Sequence, residues 1–548
     1  MTTYNKVETA SAKPKKSCLS TKTIVHKMKK NQAIMKYKFG LKIEFSVFIL
    51  PLLFCVTACN SQAKENTPPN IIIFLVDDMG LMDTSVPFLT DKNGNSVKYP
   101  LNDYYITPNI EKLAEQGIRF TNFYAHSVCS PSRTSILTGQ NSARHGVTNW
   151  IKPDENNRSE FGPANWNWKG LTKESITLPR ILQQAGYKTI HVGKAHFGPY
   201  QSEGEDPLNL GFDVNIAGSS IGQPGSYLGT EGFGHTGGNK TKAVPSLDKY
   251  HGKDIFLSEA LTLEANLAIT KAKEEDKPFF LNMSHYAVHT PFYSDSRFAE
   301  NYKNSDMSEK AQAYATLIEG IDKSLGDIVQ HVKNLGLGEN TLIFFLGDNG
   351  SDAPLPIKNN YSSSSPLKGK KGNHWEGGMR VPFIASWVIP NENIFYQEKL
   401  PIAHNTIQKQ MGTILDIFPT LCQVANVHTP DNFAIDGFNL RNQLMGKQDE
   451  IRDGLFLNHF PHGNHRTNYF TSLVQLDWKI IYHYQVDKEP RYELFNLKKD
   501  PFETHNMAEK NPQQLKRMMQ TLADEMKNKK GNYPEKDGKF LELIMPSK

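Results

Sequence analysis

The sequence predicts an α/β protein: a large domain whose mostly parallel central sheet is flanked by helices, followed by a small C-terminal α+β domain with an antiparallel sheet. Three observations carry this expectation. The chain has 548 residues, too many for one small core, so a large domain plus a smaller one is the natural arrangement. Short apolar runs alternate with helical patterns from residue 70 onward. Near Asp436 the pattern shifts, and strand-like pieces then follow one another directly.

The apolar runs fall at 71–76, 189–192, 279–283, 342–346 and 383–387, each short and flanked by polar or glycine residues. They are continuous rather than alternating, as strands buried on both faces must be. Helical patterns at 110–116 and 311–335 lie between them. Beyond Leu455, strand-like pieces at 470–474, 479–483 and 492–496 precede a final helix, on which Leu515, Met518, Met519, Leu522 and Met526 form one apolar stripe. The division expected is a leader over 1–59, a polar tether over 60–69, a large domain over 70–430 and a small one over 431–548. Segments 147–175 and 202–252 are long, polar and rich in Gly, Asn and Trp, which suits loops that wall a pocket.

The formal charge of +5 is misleading. Residues 1–59 hold eleven Lys against Glu8 and Glu44, a surplus of nine, so the remainder carries about −4. Nucleic acid is therefore not an expected partner. Read from Met35 as the true start, Lys36, Lys38 and Lys42 precede an apolar run from Phe45 to Val56, too short for a mature membrane span. That is a signal peptide. It ends in Val56, Thr57, Ala58 and Cys59, which resembles a bacterial lipobox, and the expectation is a lipoprotein of the cell envelope held to the membrane through Cys59. An ordinary signal peptide cut nearby is the alternative, and export holds either way.

Cys18 and Cys55 leave with the leader and Cys59 would carry lipid, so only Cys129 and Cys422 remain in the fold. A disulfide framework is excluded. Cys422 follows Leu421 in an apolar helical stretch and reads as core. Cys129 invites a chemical explanation.

Two of the expected strands run into acidic clusters, Asp77–Asp78 after the first and Asp348–Asn349 after 342–346. Ligands of open α/β sheets sit at the carboxyl ends of strands. Three carboxylates and an amide gathered there call for a neutralising cation, and an all-oxygen set points to Ca²⁺, with Mg²⁺ second. Taken singly, each pair also reads as helix-cap or turn residues.

Residues 129–139 read CSPSRTSILTG. This stretch resembles the signature of the type I, formylglycine-dependent sulfatases, with Cys129, Pro131, Arg133, Leu137, Thr138 and Gly139 in their places. Further blocks resemble the family in its order: TPNI at 107–110, GKAH at 193–196, HTP at 289–291, GDNG at 347–350, LKGKKGNHWEGGMRVP at 367–382, and ELFNL at 493–497. The resemblance implies an alkaline-phosphatase-like fold and conversion of Cys129 to formylglycine by a formylglycine-generating or radical sulfatase-maturating enzyme. It further implies that Asp77, Asp78, Asp348 and Asn349 bind Ca²⁺ together with the oxygen derived from Cys129. Lys194 and Lys371 would grip the sulfate, Arg133 and His196 would hold the formylglycine hydrate, and His289 would act on the leaving-group side. The residue types make sense. An aldehyde hydrate offers one oxygen for attack and a second hydroxyl to expel sulfate, and His passes a proton near neutrality. Lys370 adjoins Lys371, but the G-x-K-G spacing favours the latter. Ala195 and Lys368 depart from the commonest family forms, Trp and Arg, which bears on pocket shape.

The substrate expected is a sulfated oligosaccharide or polysaccharide of algal type, such as ulvan, carrageenan or fucoidan, or else a glycosaminoglycan. Trp150, Trp166 and Trp168 could stack on sugar rings or simply pin loops, and His459, His462 and His465 could read hydroxyl or carboxylate groups. The rivals are a phosphonate or phosphate ester hydrolase of the same superfamily and a non-catalytic glycan-binding lipoprotein.

Overall fold

A computed structural model describes residues 67–355, 363–463, 465–487 and 489–547. The leader, Cys59 and most of the tether lie outside the described residues.

The central sheet has eight strands: β1 (Asn70–Val76), β2 (Ile118–Phe120), β3 (Lys188–Gly193), β4 (Val214–Ile216), β5 (Phe279–His285), β6 (Thr341–Gly347), β7 (Phe383–Trp387) and β8 (Thr406–Gln408). Their spatial order is β4-β3-β5-β1-β6-β7-β2-β8, and only β7 runs against the rest. The five long runs read from the sequence are β1, β3, β5, β6 and β7. The three-residue strands β2, β4 and β8 are too short to leave a periodic signal.

Every residue of β1, β5, β6 and β7 is buried. The reason is visible along β1, where Ile72, Phe74 and Val76 enter one core and Ile71, Ile73 and Leu75 the other. Helices α3 (Leu257–Glu274) and α4 (Glu309–Asn334) close the first core with Leu257, Leu261, Ile318, Ile321 and Leu325. Helix α2 (Cys129–Thr138) closes the second with Ile136 and Leu137, beside Phe418, Leu421 and the buried Cys422. Helix α1 (Pro108–Gln116) packs on the first core through Ile110, Leu113 and Ala114.

The C-terminal sheet is antiparallel in the order β9 (Leu455–Phe460), β10 (Phe470–Gln475), β11 (Trp478–His483), β12 (Tyr492–Asn496). Helix α5 (Pro512–Lys529) lays Leu515, Met518, Met519, Leu522 and Met526 on Leu457, Leu473, Ile480 and Leu494. Phe456 and Val474, from the same strands, enter the second core of the large domain. The C-terminal sheet is therefore packed onto the large domain, and residues 65–548 form one compact unit.

Candidate active site

Neighbouring strands β3, β5, β1 and β6 deliver their chemistry at one edge of the sheet. β3 ends at Gly193 and hands over Lys194, β1 leads into Asp77 and Asp78, β6 into Asp348 and Asn349, and the chain beyond β5 supplies His289. Gly193 sits at φ +99°, and a Cβ there would lie 1.9 Å from the Ser284 carbonyl oxygen, so the turn that presents Lys194 requires glycine. Asp78 and His196 hold positive φ without being glycine, at 59° and 60°. Such strain collects where surrounding structure fixes functional side chains.

Helix α2 is buried along its whole length, and Cys129 is its first residue. One turn on, Arg133 reaches beneath the acidic cluster. Its Nε donates to Asp348 Oδ2 at 2.8 Å, its Nη1 to Ser284 Oγ at 2.7 Å and the Lys194 carbonyl at 2.9 Å, and its Nη2 lies 3.4 Å from Asp77. Arg133 thus positions carboxylates; none of these contacts is to the Cys129 side chain.

Lys194 Nζ donates to both oxygens of Asp77 at 2.8 Å, and Lys371 Nζ lies 2.6 and 2.7 Å from the two oxygens of Asp78. Three carboxylates therefore face three side-chain cations. The expectation that a metal is needed to neutralise the carboxylates is corrected here, because Arg133, Lys194 and Lys371 already do so. A divalent cation would instead leave the site net positive, which suits an anionic substrate.

The donor set fits such a cation. Asp77, Cys129 and Asp348 place ligand atoms within 4.8 Å of one another. Asn349 Nδ2 donates to Asp78 Oδ1 at 2.9 Å, while its buried Oδ1 has no hydrogen-bond partner among the described residues. Carboxylate and amide oxygens are hard donors, of the kind Ca²⁺ and Mg²⁺ take.

Burial dominates the titration of the site. It raises Asp77 well above the usual carboxylate range, with Lys194 opposing. Asp78 is held below that range: burial opposes this, but Lys371, His289 and Lys194 outweigh it. Lys371 is raised, since Asp78 and the other nearby acids overcome its burial. The Cys129 thiol is raised by burial, although Lys194 and Lys371 pull it down. His196 and His289 are lowered well below 6.5, by burial first and by Lys194 and Lys371 respectively next. A buried thiol with a raised pKa is a poor nucleophile as it stands.

Above these groups lies a cavity of about 260 Å³. Cys129, His196, His289 and Lys371 line its inner part, with Trp150, Ile151 and Pro153 from the first long loop and Gly222, Gln223 and Lys242 from the second. Lys370, by contrast, is half-exposed and faces Asp352. Trp150 lines the cavity, whereas Trp166 is buried with its indole N–H on Asn156, and Trp168 lies under Lys169. Trp166 and Trp168 pin a loop.

His459 and His462, expected at the substrate, do not reach the cavity. His459 points from β9 into the fold, with Nδ1 on Thr471 at 2.7 Å and Nε2 on the Asn532 carbonyl at 2.6 Å. His462 is fully buried on Thr148 Oγ1 at 2.9 Å and against the Trp166 ring. Both are core histidines, because β9 and the turn after it direct them inward; His459 has both ring nitrogens paired, while His462 Nδ1 has no hydrogen-bond partner among the described residues. Of the three histidines only His465 lines the cavity. Sequence reasoning missed its neighbour Arg466, which binds Asp352 in bidentate fashion at 2.6 and 2.8 Å, and missed Gln223 and Lys242. Only the position of Arg466 beside His465 and of Asp352 just beyond GDNG offered a signal.

The family profile described as Sulfatase matches residues 69–427, and that of the N-sulphoglucosamine sulphohydrolase C-terminal region matches 374–532. The chain belongs to the sulfatase family, within the alkaline-phosphatase-like superfamily, and is a sulfuric ester hydrolase. Among its relatives, N-acetylgalactosamine-6-sulfatase of Mus musculus is 31% identical over 399 residues, covering 70% of this chain and 67% of that protein. A sulfatase of Formosa agariphila is 28% identical over 539 residues, covering 87% and 90%. The crystal structure of Ps i-CgsB, also solved with k-i-k-neocarrahexaose, is 24% identical and superposes with a TM-score of 0.65 over 84% of this chain and 93% of that one.

Proposed function

We propose that the protein desulfates a sulfated carbohydrate, an algal polysaccharide or its oligosaccharides of the ulvan, carrageenan or fucoidan type, using formylglycine made from Cys129 and one Ca²⁺. The observation that carries this reading is Cys129 at the floor of the cavity, at the start of a buried helix, between Asp77 and Asp348 below and His196, His289 and Lys371 around it. As formylglycine hydrate, residue 129 would supply one oxygen for attack on sulfur and a second hydroxyl to expel the sulfate. The bound Ca²⁺ would supply positive charge beside the sulfate, held by Asp77, Asp78, Asp348 and Asn349.

The remaining work falls to this chain's own side chains. Lys371, which lines the cavity, is a compact cation suited to a single sulfate oxygen, whereas Lys194 is fully buried on Asp77, does not line the cavity, and adds positive charge beneath it. His196 Nε2 donates to the Ile151 carbonyl at 2.6 Å, so its Nδ1 is the atom free to accept a hydroxyl proton from residue 129. His289 Nδ1 donates to the Thr290 carbonyl at 3.0 Å, which leaves Nε2, 3.5 Å from Asp78, to exchange a proton with the leaving oxygen. One oriented donor lowers a barrier by about 3–4 kcal/mol, so several acting together are required.

For the carbohydrate, support comes from the indole of Trp150 at the cavity wall and from Lys242 and Arg466 at its rim, which suit a sugar bearing further anionic groups. The neocarrahexaose bound by Ps i-CgsB favours the algal class, and the N-acetylgalactosamine-6-sulfatase relative keeps glycosaminoglycans as the second reading. The test is sulfate release from a panel of algal and glycosaminoglycan oligosaccharides, with phosphate and phosphonate esters alongside. Turnover of no sulfated sugar would sink the carbohydrate reading, and faster release of phosphate would make the phosphonate or phosphate hydrolase the better one. A peptide mass at Cys129 matching the aldehyde is expected, and an intact thiol in active protein would overturn the formylglycine assignment. We further propose that the protein is anchored in the cell envelope by lipid on Cys59. Cys59→Ser should then move it from the membrane to the soluble fraction, and an unchanged distribution would remove the anchor.

A further inference from the structure

A second cluster of metal-ligating side chains lies apart from the acidic site, where the loop carrying Lys371 meets the C-terminal sheet. We propose that His374, His483 and Glu493 form a structural site for a zinc-like divalent transition-metal ion that fastens this loop to strands β11 and β12.

The three residues come from three separate pieces of chain. His374 lies three residues beyond Lys371, just before the short helix Glu376–Met379. His483 ends β11, and Glu493 lies on β12, where it pairs with Ile481. Residues directly opposite share a face and a strand alternates faces, so His483 and Glu493 are diagonal neighbours on one side of the sheet. His374 completes the group from above.

All three are buried, with 2%, 0% and 6% of their surfaces exposed. Their ligand atoms lie within 4.8 Å of one another. His483 Nε2 is 3.0 Å and His374 Nε2 is 3.5 Å from the same carboxylate oxygen, Glu493 Oε1. An ion with tetrahedral bonds of about 2.0–2.1 Å holds its ligand atoms roughly 3.3 Å apart, between these two separations. His374 Nε2 makes no hydrogen bond among the described residues, although it is buried and aimed at the group. Its other nitrogen, Nδ1, is held by Thr467 Oγ1 at 3.0 Å, the kind of outer contact that fixes the orientation of a ligating imidazole. The two rings stand nearly perpendicular, at 86° with centroids 4.8 Å apart, so neither blocks the other's approach to a shared ion.

The chemistry separates this site from the first. Two imidazole nitrogens and one carboxylate suit Zn²⁺ and its first-row neighbours, whereas the oxygen donors around Asp77 suit Ca²⁺. Three protein ligands leave one position for water. An ion here would tie the Lys371 loop to the C-terminal sheet without touching the reacting sulfate.

The full-length protein, stripped with a chelator and dialysed against Zn²⁺ in the presence of Ca²⁺, should retain one zinc per chain after gel filtration, measured by elemental mass spectrometry. His374→Ala and His483→Gln should each weaken zinc binding by at least about tenfold and abolish the rise in Tm that zinc gives the parent protein. Asp77→Asn should lose calcium and keep zinc. Failure of the folded parent protein to retain zinc overturns the proposal, as does equal retention by His374→Ala, or loss of zinc in Asp77→Asn. If His483→Gln does not fold, His374→Ala and the stoichiometry of the parent protein decide the matter. Sulfate release plays no part in this readout, so the proposal and the sulfatase reading fail independently.

Discussion

The edge of the central sheet and its seam with the C-terminal sheet both bury lysine against carboxylates, and they use the arrangement differently. At the edge, Lys194 and Lys371 hold Asp77 and Asp78 beneath a cavity, beside Cys129 and beside polar atoms left unpaired, Asn349 Oδ1 and His196 Nδ1. At the seam, Lys479 lies fully buried on Glu376 at 3.0 Å and Glu503 at 2.7 Å, Tyr124 donates to Glu376 at 2.7 Å, and Glu503 accepts the Glu376 backbone N–H at 2.7 Å. A buried ion pair therefore does not mark a catalytic site, and neither do an unpaired polar atom and a cavity, since the seam leaves His374 Nε2 unpaired among the described residues and its Tyr124 and Glu376 line a cavity of about 790 Å³; what the edge adds is Cys129. The seam network fastens the loop that bears Lys371 to the C-terminal sheet.

The sharpest way to break this contrast is Cys129→Ala, which should lower sulfate release by more than about 10³-fold while circular dichroism stays native. Retained activity would remove Cys129 from the mechanism. Next comes an exchange of the two lysines. Lys194→Met should cut kcat by about 10²–10³. Lys479→Met should cost about 3–5 kcal/mol in urea denaturation, because two carboxylates lose their buried partner, yet leave kcat of the folded fraction almost unchanged. The opposite outcome would reverse the roles given to the two regions.

Asp83 tests burial without catalysis. It accepts hydrogen bonds from Gly80, Tyr314 and Ser351, and burial nevertheless pushes it from 3.8 up to about 7. The folded chain keeps this proton up to about pH 7 while the unfolded chain releases it near 3.8, so the folded state binds more protons in between. Its contribution to stability is then fully present below pH 3.8 and is lost as pH rises through about 7. Urea midpoints between those pH values should fall more steeply in the parent protein than in Asp83→Asn; parallel slopes would refute the shift. The smallest effect belongs to the cavity wall. Trp150→Ala should raise KM by up to about tenfold, since a stacked aromatic contributes roughly 0.5–1.5 kcal/mol, whereas His462→Ala should leave KM alone and lower Tm. Equal KM effects would return His462 to the substrate.

Much of the fold was written in local pattern. Continuous apolar runs gave β1, β3, β5, β6 and β7 because strands covered on both faces need no polar alternation, and the stripe on α5 gave the helix that covers the C-terminal sheet. The acidic pairs after β1 and β6 and the Cys129 block were legible for a related reason. Chemistry at the ends of parallel strands and at the start of a helix sits in short contiguous stretches.

Tertiary structure decided what depends on direction. Histidines 459, 462 and 465 share one stretch, yet only His465 lines the cavity, because strand pairing and the turn after β9 set where each ring points. Asp352 and Arg466 meet across 114 residues, and Arg133 lies under Asp348 rather than over Cys129. The sequence alone determined which groups exist and the strand or helix that bears them. Whether three carboxylates stand unneutralised or balanced by Arg133, Lys194 and Lys371 depended on contacts between distant segments, and only packing brings those together.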